Sequence, residues 1–387
     1  MVRKILIFKI VTFLLLFFIF DLLIGVFDMF LVKDVTIKQG LKKIDLSVEA
    51  HPYKSYINKP GIIFYNNYVV NEYGHQVLQE DQDIAFKNKS NNEKRILFLG
   101  GSTTFQQWPF YFVEILNRKE DKFHYKAINA GTGGYTSQEN LIDLIISGFS
   151  YQPDMVVAYL PINDIYWSSF YEDFKRDYTH MRISLKIIDN NKIDVPIKKI
   201  RKYPFFLSLI DIISYKKKYK AYMNTKDLMY YVTKQPVPWP KSPDYKNYDV
   251  SFTQTVDAVI DNIYNMKILC DARNIKFLLI TQKIFPFPFG YASRNKFADL
   301  MDNLTLKAIE SIKTSVKLKG IELLEMNKIF PNQWDNIYIV KTQEYFPGKK
   351  LDFSEKLAYD SMHFNDAALH LFAITIYEYL KNKESYK

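Results

Sequence analysis

The chain has 387 residues, 48% hydrophobic and 24% charged, ordinary globular values that exclude a disordered or low-complexity chain. Its one cysteine, Cys270, forbids an intrachain disulfide or a thiolate-held metal, and the six histidines lack metal-ligand spacing, so neither metal nor cofactor is expected. Net charge is +10, with 13 Lys or Arg against 4 Asp between residues 175 and 220, but no zinc-finger, RNP or helix-turn-helix signature accompanies them, and nucleic acid is not expected as a partner.

Residues 5–27 form an apolar run of 23 residues. As a helix it reaches about 34 Å at about 1.5 Å per residue, enough to cross a hydrocarbon core about 30 Å thick. Lys9 can snorkel to the headgroups, whereas Asp21 would cost about 2–3 kcal/mol at the bilayer centre and less near an interface. Arg3, Lys4 and Lys9 lie on one side and Asp28 and Asp34 on the other, so the positive-inside bias puts the amino terminus in the cytoplasm and the remaining chain outside. With no small-x-small cleavage pattern, residues 1–32 read as a retained N-terminal transmembrane helix of a single-pass protein.

Residues 33–92 are polar and mixed, a membrane-proximal extension with a turn at 59–61 and a strand over 62–70. A repeating pattern then begins. Strands are expected at 95–100, 125–129, 155–160, 276–282 and 321–326, and helices at 110–118, 137–147, 252–274, 296–317 and 365–380. Strands separated by helices predict an α/β fold, a three-layer sandwich with a mostly parallel sheet, spanning 93–387 with an insertion at about 165–250. Ligands of such sheets sit at the carboxyl ends of the strands.

Four polar segments fall at those ends: Gly100-Gly101-Ser102-Thr103, 129–134 (Asn-Ala-Gly-Thr-Gly-Gly), Pro161-Ile162-Asn163-Asp164 and Asp360-Ser361-Met362-His363. Each alone is weak, because Gly-Gly-Ser is usually a turn and Asn-Asp after a strand is usually a helix cap. Together they meet the demands of acyl hydrolysis. A serine hydroxyl needs a base to take its proton, and the base works best when a carboxylate orients its ring. On one helical turn, Asp360 and His363 project from the same face, so the ring can reach from the carboxylate to Ser102. The N–H groups of Ser102 and Gly134 and the Asn163 amide can supply oxyanion donors.

In order and context these blocks resemble the SGNH (GDSL-type) hydrolase superfamily, four short matches across 95–375. That resemblance implies an SGNH, flavodoxin-like fold with Ser102 as nucleophile, His363 as base, Asp360 as orienting acid, and Ser102, Gly134 and Asn163 as oxyanion donors. Two positions depart from the family pattern: Gly101 stands where Asp is usual and Pro161 where Gly is usual. The α/β-hydrolase elbow is absent, since Thr104 occupies its last glycine position.

The insertion carries the basic excess, and its 204–213 stretch, flanked by basic clusters at 198–202 and 216–218, can dock on the core or lie on an anionic membrane as an amphipathic helix. The docked arrangement is favoured. A basic, aromatic rim would also suit acidic glycans. Cys270 reads as a core residue and His370 as decoration on the last helix. The expected function is a membrane-anchored, extracytoplasmic serine esterase acting on O-acyl, above all O-acetyl, esters of a cell-surface glycan or lipid. Two alternatives stand beside it: an O-acyltransferase using the same triad with a membrane acyl-donor partner, and an inactive glycan-binding protein.

Overall fold

The computed structural model describes residues 48–64, 67–168, 174–178, 248–285, 296–354, 356–358 and 361–383, together with Thr12 and Leu16. Apart from Thr12 and Leu16, the expected anchor at 5–27 lies outside the described residues, as do the 204–213 stretch with its basic flanks and Asp360. Among the described residues no helix is long and apolar enough to cross a membrane. The chain divides into two compact units, Met1–Ala50 with Ile183–Trp239, and His51–Arg182 with Pro240–Lys387. Of the first unit only Thr12, Leu16 and residues 48–50 are described.

Ten strands are described: β1 (Val48–His51), β2 (Ser55–Asn58), β3 (Ile63–Phe64), β4 (Tyr68–Val70), β5 (Gln76–Leu78), β6 (Glu93–Gly100), β7 (His124–Asn129), β8 (Met155–Leu160), β9 (Lys276–Thr281) and β10 (Glu322–Leu324). The described α-helices are α1 (Ser102–Phe105), α2 (Trp108–Lys119), α3 (Ser137–Ile146), α4 (Ile162–Ser168), α5 (Tyr248–Asp271), α6 (Lys296–Leu318), α7 (Met326–Ile329), α8 (Asn336–Tyr345) and α9 (Asp366–Lys381). Eight strands form one sheet in the order β10-β9-β8-β6-β7-β5-β4-β3. The five from β10 to β7 run parallel, and β5, β4 and β3 add antiparallel pairings at the β7 edge. The parallel strands, taken in chain order, lie 2-1-3-4-5, the doubly wound arrangement of flavodoxin-like folds.

The alternation of strand side chains builds a core on each face of the sheet. Ile96 and Phe98 of β6 point toward the layer of α2 and α9, where Trp108, Phe112, Phe372 and Ile376 are buried. Leu97 and Leu99 point the other way, onto Leu144 of α3, Val259 and Ile263 of α5 and Ile312 of α6. The run reads as continuously apolar because both faces are covered. Each fully buried side chain of this size contributes about 1.5–3 kcal/mol by leaving water.

The helices start where the side chains permit. A capping box opens α3, with Glu139 reaching back to the Thr136 N–H at 3.0 Å. Asn365 caps α9, its Oδ1 accepting from the Ala368 N–H at 2.8 Å.

In several places the structure differs from the sequence expectations. The 62–70 strand is instead two short antiparallel strands, β3 and β4, and the extension supplies three strands of the main sheet. Strand β10 stops at Leu324, because Met326 opens α7. Residues 361–364 are not a helical turn: Phe364 bridges Ala358 and the Asn365 cap delays α9 to Asp366. His370 does not decorate the helix; it is buried, stacked on Tyr111 with ring centroids 3.7 Å apart. Cys270 is buried, as expected.

Two buried polar clusters fasten the 51–92 segment to the layers around it. The Arg95 guanidinium donates to the carbonyls of Ile84, Tyr151 and Lys87, each at 3.0 Å. In the other cluster, Asp143 of α3 accepts from Lys54 Nζ at 2.7 Å and meets His75 Nε2 at 2.8 Å, while His75 Nδ1 lies 2.9 Å from the Tyr151 hydroxyl. Burial alone would raise the Asp143 pKa, but His75 and Lys54 outweigh it and hold the carboxyl below the ordinary range. A buried charge this well partnered ties together three separate stretches of chain.

Candidate active site

Three parallel strands release the chain at one edge. Gly100 of β6 pairs with Tyr159 of β8, and Phe98 pairs with Asn129 of β7, so the segments that follow emerge side by side. Ser102 opens α1, the 130–135 turn follows β7, and Asn163 sits in the first turn of α4. The central strand here is β6, whose two parallel neighbours lead away in opposite directions, the switch point at which open α/β sheets bind ligands.

Across this edge the Ser102 Oγ lies 2.8 Å from His363 Nε2, joining residues 261 apart in the chain. Both are half-buried, screened from bulk water yet reachable by a substrate. The His363 loop is held from two sides. The Gln106 side-chain amide brackets Phe364, its Nε2 donating to the Phe364 carbonyl at 2.9 Å and its Oε1 accepting from the Phe364 N–H at 3.3 Å. From the far side the Phe285 N–H donates to the Ser361 carbonyl at 2.9 Å. The Phe364 ring is buried against Phe285, Phe330 and Phe372.

The Asn163 Nδ2 donates to the Tyr135 carbonyl at 2.9 Å, and the amide's second hydrogen can serve a substrate oxygen. It stands directly beside Gly101, where any Cβ would overlap the Asn163 nitrogen. The absence of a side chain at Gly101 thus makes room for the amide. Gly134 has φ +82°, a left-handed conformation that favours glycine. Among the described residues, neither the Ser102 nor the Gly134 N–H donates a backbone hydrogen bond.

Asp164, next to Asn163, points away from solvent. It accepts from the Ser137 N–H at 3.0 Å, the Ser137 hydroxyl at 2.6 Å and the Tyr178 hydroxyl at 2.7 Å, and Asn262 Nδ2 donates to the same Ser137 hydroxyl at 2.9 Å. Burial pushes its pKa up to about 7 despite those donors. Asp164 therefore anchors the turn that carries Asn163 and is not a reacting group.

Of the residues singled out from sequence, the structure brings together Ser102 and His363, and it sets Asn163 beside Gly101 at the same strand ends as Gly134. Asp360 lies outside the described residues. No group of His, Cys, Asp or Glu among the described residues can hold a metal ion. Sequence reasoning missed Gln106, Tyr178 and Asn262, whose importance comes only from contacts distant in the chain. Their one local signal is that Gln106 follows the nucleophile turn.

No protein-family model matches the chain, and no curated protein matches it by sequence. Among solved structures it is similar to a gut microbial diltiazem-metabolizing enzyme at 13% identity and TM-score 0.42, the match covering 76% of this chain and 48% of that one. The chain thus spans about half the length of that enzyme. It is also similar to a GDSL-like lipase from Bacteroides thetaiotaomicron (14% identity, TM-score 0.38, 78% and 96% covered). A third similarity is to a catalytic mutant of an acetylxylan esterase from Geobacillus stearothermophilus (13% identity, TM-score 0.39, 76% and 95% covered).

Proposed function

We propose that the chain is a serine ester hydrolase of the SGNH type, and the observation that carries this reading is the 2.8 Å approach of Ser102 Oγ to His363 Nε2 at the carboxyl ends of the parallel strands. With Nε2 as acceptor, His363 takes the serine proton as Oγ attacks an ester carbonyl. The developing oxyanion is met by the N–H groups of Ser102 and Gly134 and by the Asn163 amide. The same Nε2 then returns the proton to the departing alcohol, leaving an acyl-Ser102 ester, and a water activated by His363 hydrolyses it. The resemblance assigns the orienting carboxylate to Asp360, three residues before the base.

The finer reading is a membrane-anchored, extracytoplasmic enzyme. The 23-residue, largely apolar stretch at 5–27 and the basic residues at its start support that location. An O-acetyl or other O-acyl ester on a cell-surface glycan or lipid is then the substrate within reach.

The test uses the full chain in detergent with p-nitrophenyl acetate and longer acyl esters, beside Ser102→Ala. Turnover that is fastest on acetyl and vanishes in the variant is the expected result. A wild-type protein that neither hydrolyses these esters nor takes up a fluorophosphonate at Ser102 would overturn the reading. Labelling without turnover would redirect it to acyl transfer.

A further inference from the structure

The extension reaches the reacting centre. Tyr56 and Asn58 belong to β2, in the segment that sequence analysis assigns to the approach from the membrane, and both are buried. The Tyr56 hydroxyl donates to the Gly133 carbonyl, and Tyr135 returns the contact by donating from its own hydroxyl to the Tyr56 carbonyl. The two rings pack edge to face with centroids 5.5 Å apart. Two residues along, the Asn58 Nδ2 lies within hydrogen-bond distance of the Thr132 hydroxyl (3.0 Å), the Gly131 carbonyl (3.3 Å) and the Gly74 carbonyl (2.9 Å). Consecutive residues of the 131–135 turn are therefore gripped from one short strand.

We propose that β2 is a positioning element of the oxyanion hole, with Tyr56 and Asn58 as positioning residues that set the direction of the Gly134 N–H and the place of the Asn163 amide.

Peptide geometry carries the first half. The Gly133 carbonyl and the Gly134 N–H belong to one planar peptide and, in the trans form, point in opposite directions. Holding the Gly133 oxygen against Tyr56 therefore turns the Gly134 N–H away from Tyr56. Without that hold the Gly133-Gly134 peptide, flanked by two residues without Cβ, rotates at little steric cost. Position in the chain carries the second half. The carbonyl that receives the Asn163 amide belongs to Tyr135, whose hydroxyl is fixed to the Tyr56 backbone. Both proposed donors thus depend on the same strand. Burial, with a smaller contribution from Glu139, raises the Tyr56 pKa, so the hydroxyl stays a donor across the working range.

This inference rests on the ester-hydrolase reading, and its test separates the two. Tyr56→Phe deletes one oxygen and keeps the ring; because Gly133 is exposed, its carbonyl can bond to water instead. The expected result on p-nitrophenyl acetate is a kcat lower by about tenfold with KM within about twofold, since the loss falls on transition-state stabilisation. Affinity for a boronic acid that forms a tetrahedral adduct at Ser102 should fall in parallel. A merely structural role would lower the melting temperature and leave the kcat and boronate values alone. Asn58→Ala, assayed beside it, should show the same split. If both variants keep kcat and boronate affinity within about twofold of wild type, while Ser102→Ala is inactive, the inference is overturned and the hydrolase reading stands. If the wild-type protein shows neither turnover nor fluorophosphonate labelling, the hydrolase reading fails and takes the inference with it.

Discussion

Replacing Gly101 with alanine isolates the part played by Asn163. The Gly101 backbone is extended, with φ −94° and ψ −150°, so the substitution does not call for the left-handed region that favours glycine. What it adds is one methyl group where the Asn163 Nδ2 already stands. The amide must retreat by about 1 Å to reach an ordinary contact distance. The Tyr135 carbonyl offers no relief, since it too lies 3.4 Å from that Cβ. A displacement of this size takes the amide out of hydrogen-bond range of an oxyanion, and loss of one such donor costs about 3 kcal/mol, or about a hundredfold in kcat. KM should change little, because the donor acts mainly on the transition state. Steady-state kinetics on p-nitrophenyl acetate provides the assay, within a double-mutant cycle against Asn163→Ala. If both substitutions act through the same amide, the double variant should be no slower than Asn163→Ala alone. A Gly101→Ala enzyme with wild-type kcat, or losses that simply add, would refute the reasoning.

Three further outcomes follow from the structure. Gln106→Ala removes both hydrogen bonds that bracket Phe364 and should lower kcat about tenfold at nearly unchanged KM, as steady-state kinetics can check. Asp143→Ala leaves Lys54 and His75 buried without their carboxylate and should cost about 3–5 kcal/mol in urea unfolding. Because the folded Asp143 pKa is depressed, its contribution is present above the ordinary carboxylate range and should fade as pH falls below about 4. Asp164 has the opposite sign. Its folded pKa of about 7 lies above the ordinary 3.8, so its contribution is complete below the lower value and is lost as pH rises through the higher one. Wild-type urea midpoints should therefore drop between about pH 4 and pH 7, and those of Asp164→Asn should stay flatter.

The parallel core was legible because its rules are local. The strands at 95–100, 155–160 and 276–282 stand out by the unbroken apolar stretches they hold, 96–99, 155–160 and 277–280, which are unbroken because both faces of the sheet are covered. The helix starts at Ser137 and near Asn365 announce themselves through capping chemistry confined to four residues. The Ser102 and His363 segments were legible for a related reason. Ser102 and His363 each sit next to an element boundary, so their four-residue contexts carry a signature that survives 261 intervening residues.

The extension was not legible in this way. Strands β3, β4 and β5 have two or three residues each, too short for a period to register. Their place at the β7 edge depends on a partner that lies about 50 residues further on. Arg95 began a strand in the sequence reading, and only folding shows its guanidinium buried among three carbonyls. The sequence alone determined the order of the parallel strands and set Ser102 and His363 beside element boundaries, because each depends on residues near one another in the chain. Tertiary structure alone decided what holds those groups in place: Gln106 on the His363 loop, Asp164 behind Asn163, and Tyr56 with Asn58 on the glycine turn. A hydrogen bond between distant residues leaves no local pattern, since almost any loop can carry a polar side chain and only the fold determines which carbonyl it meets.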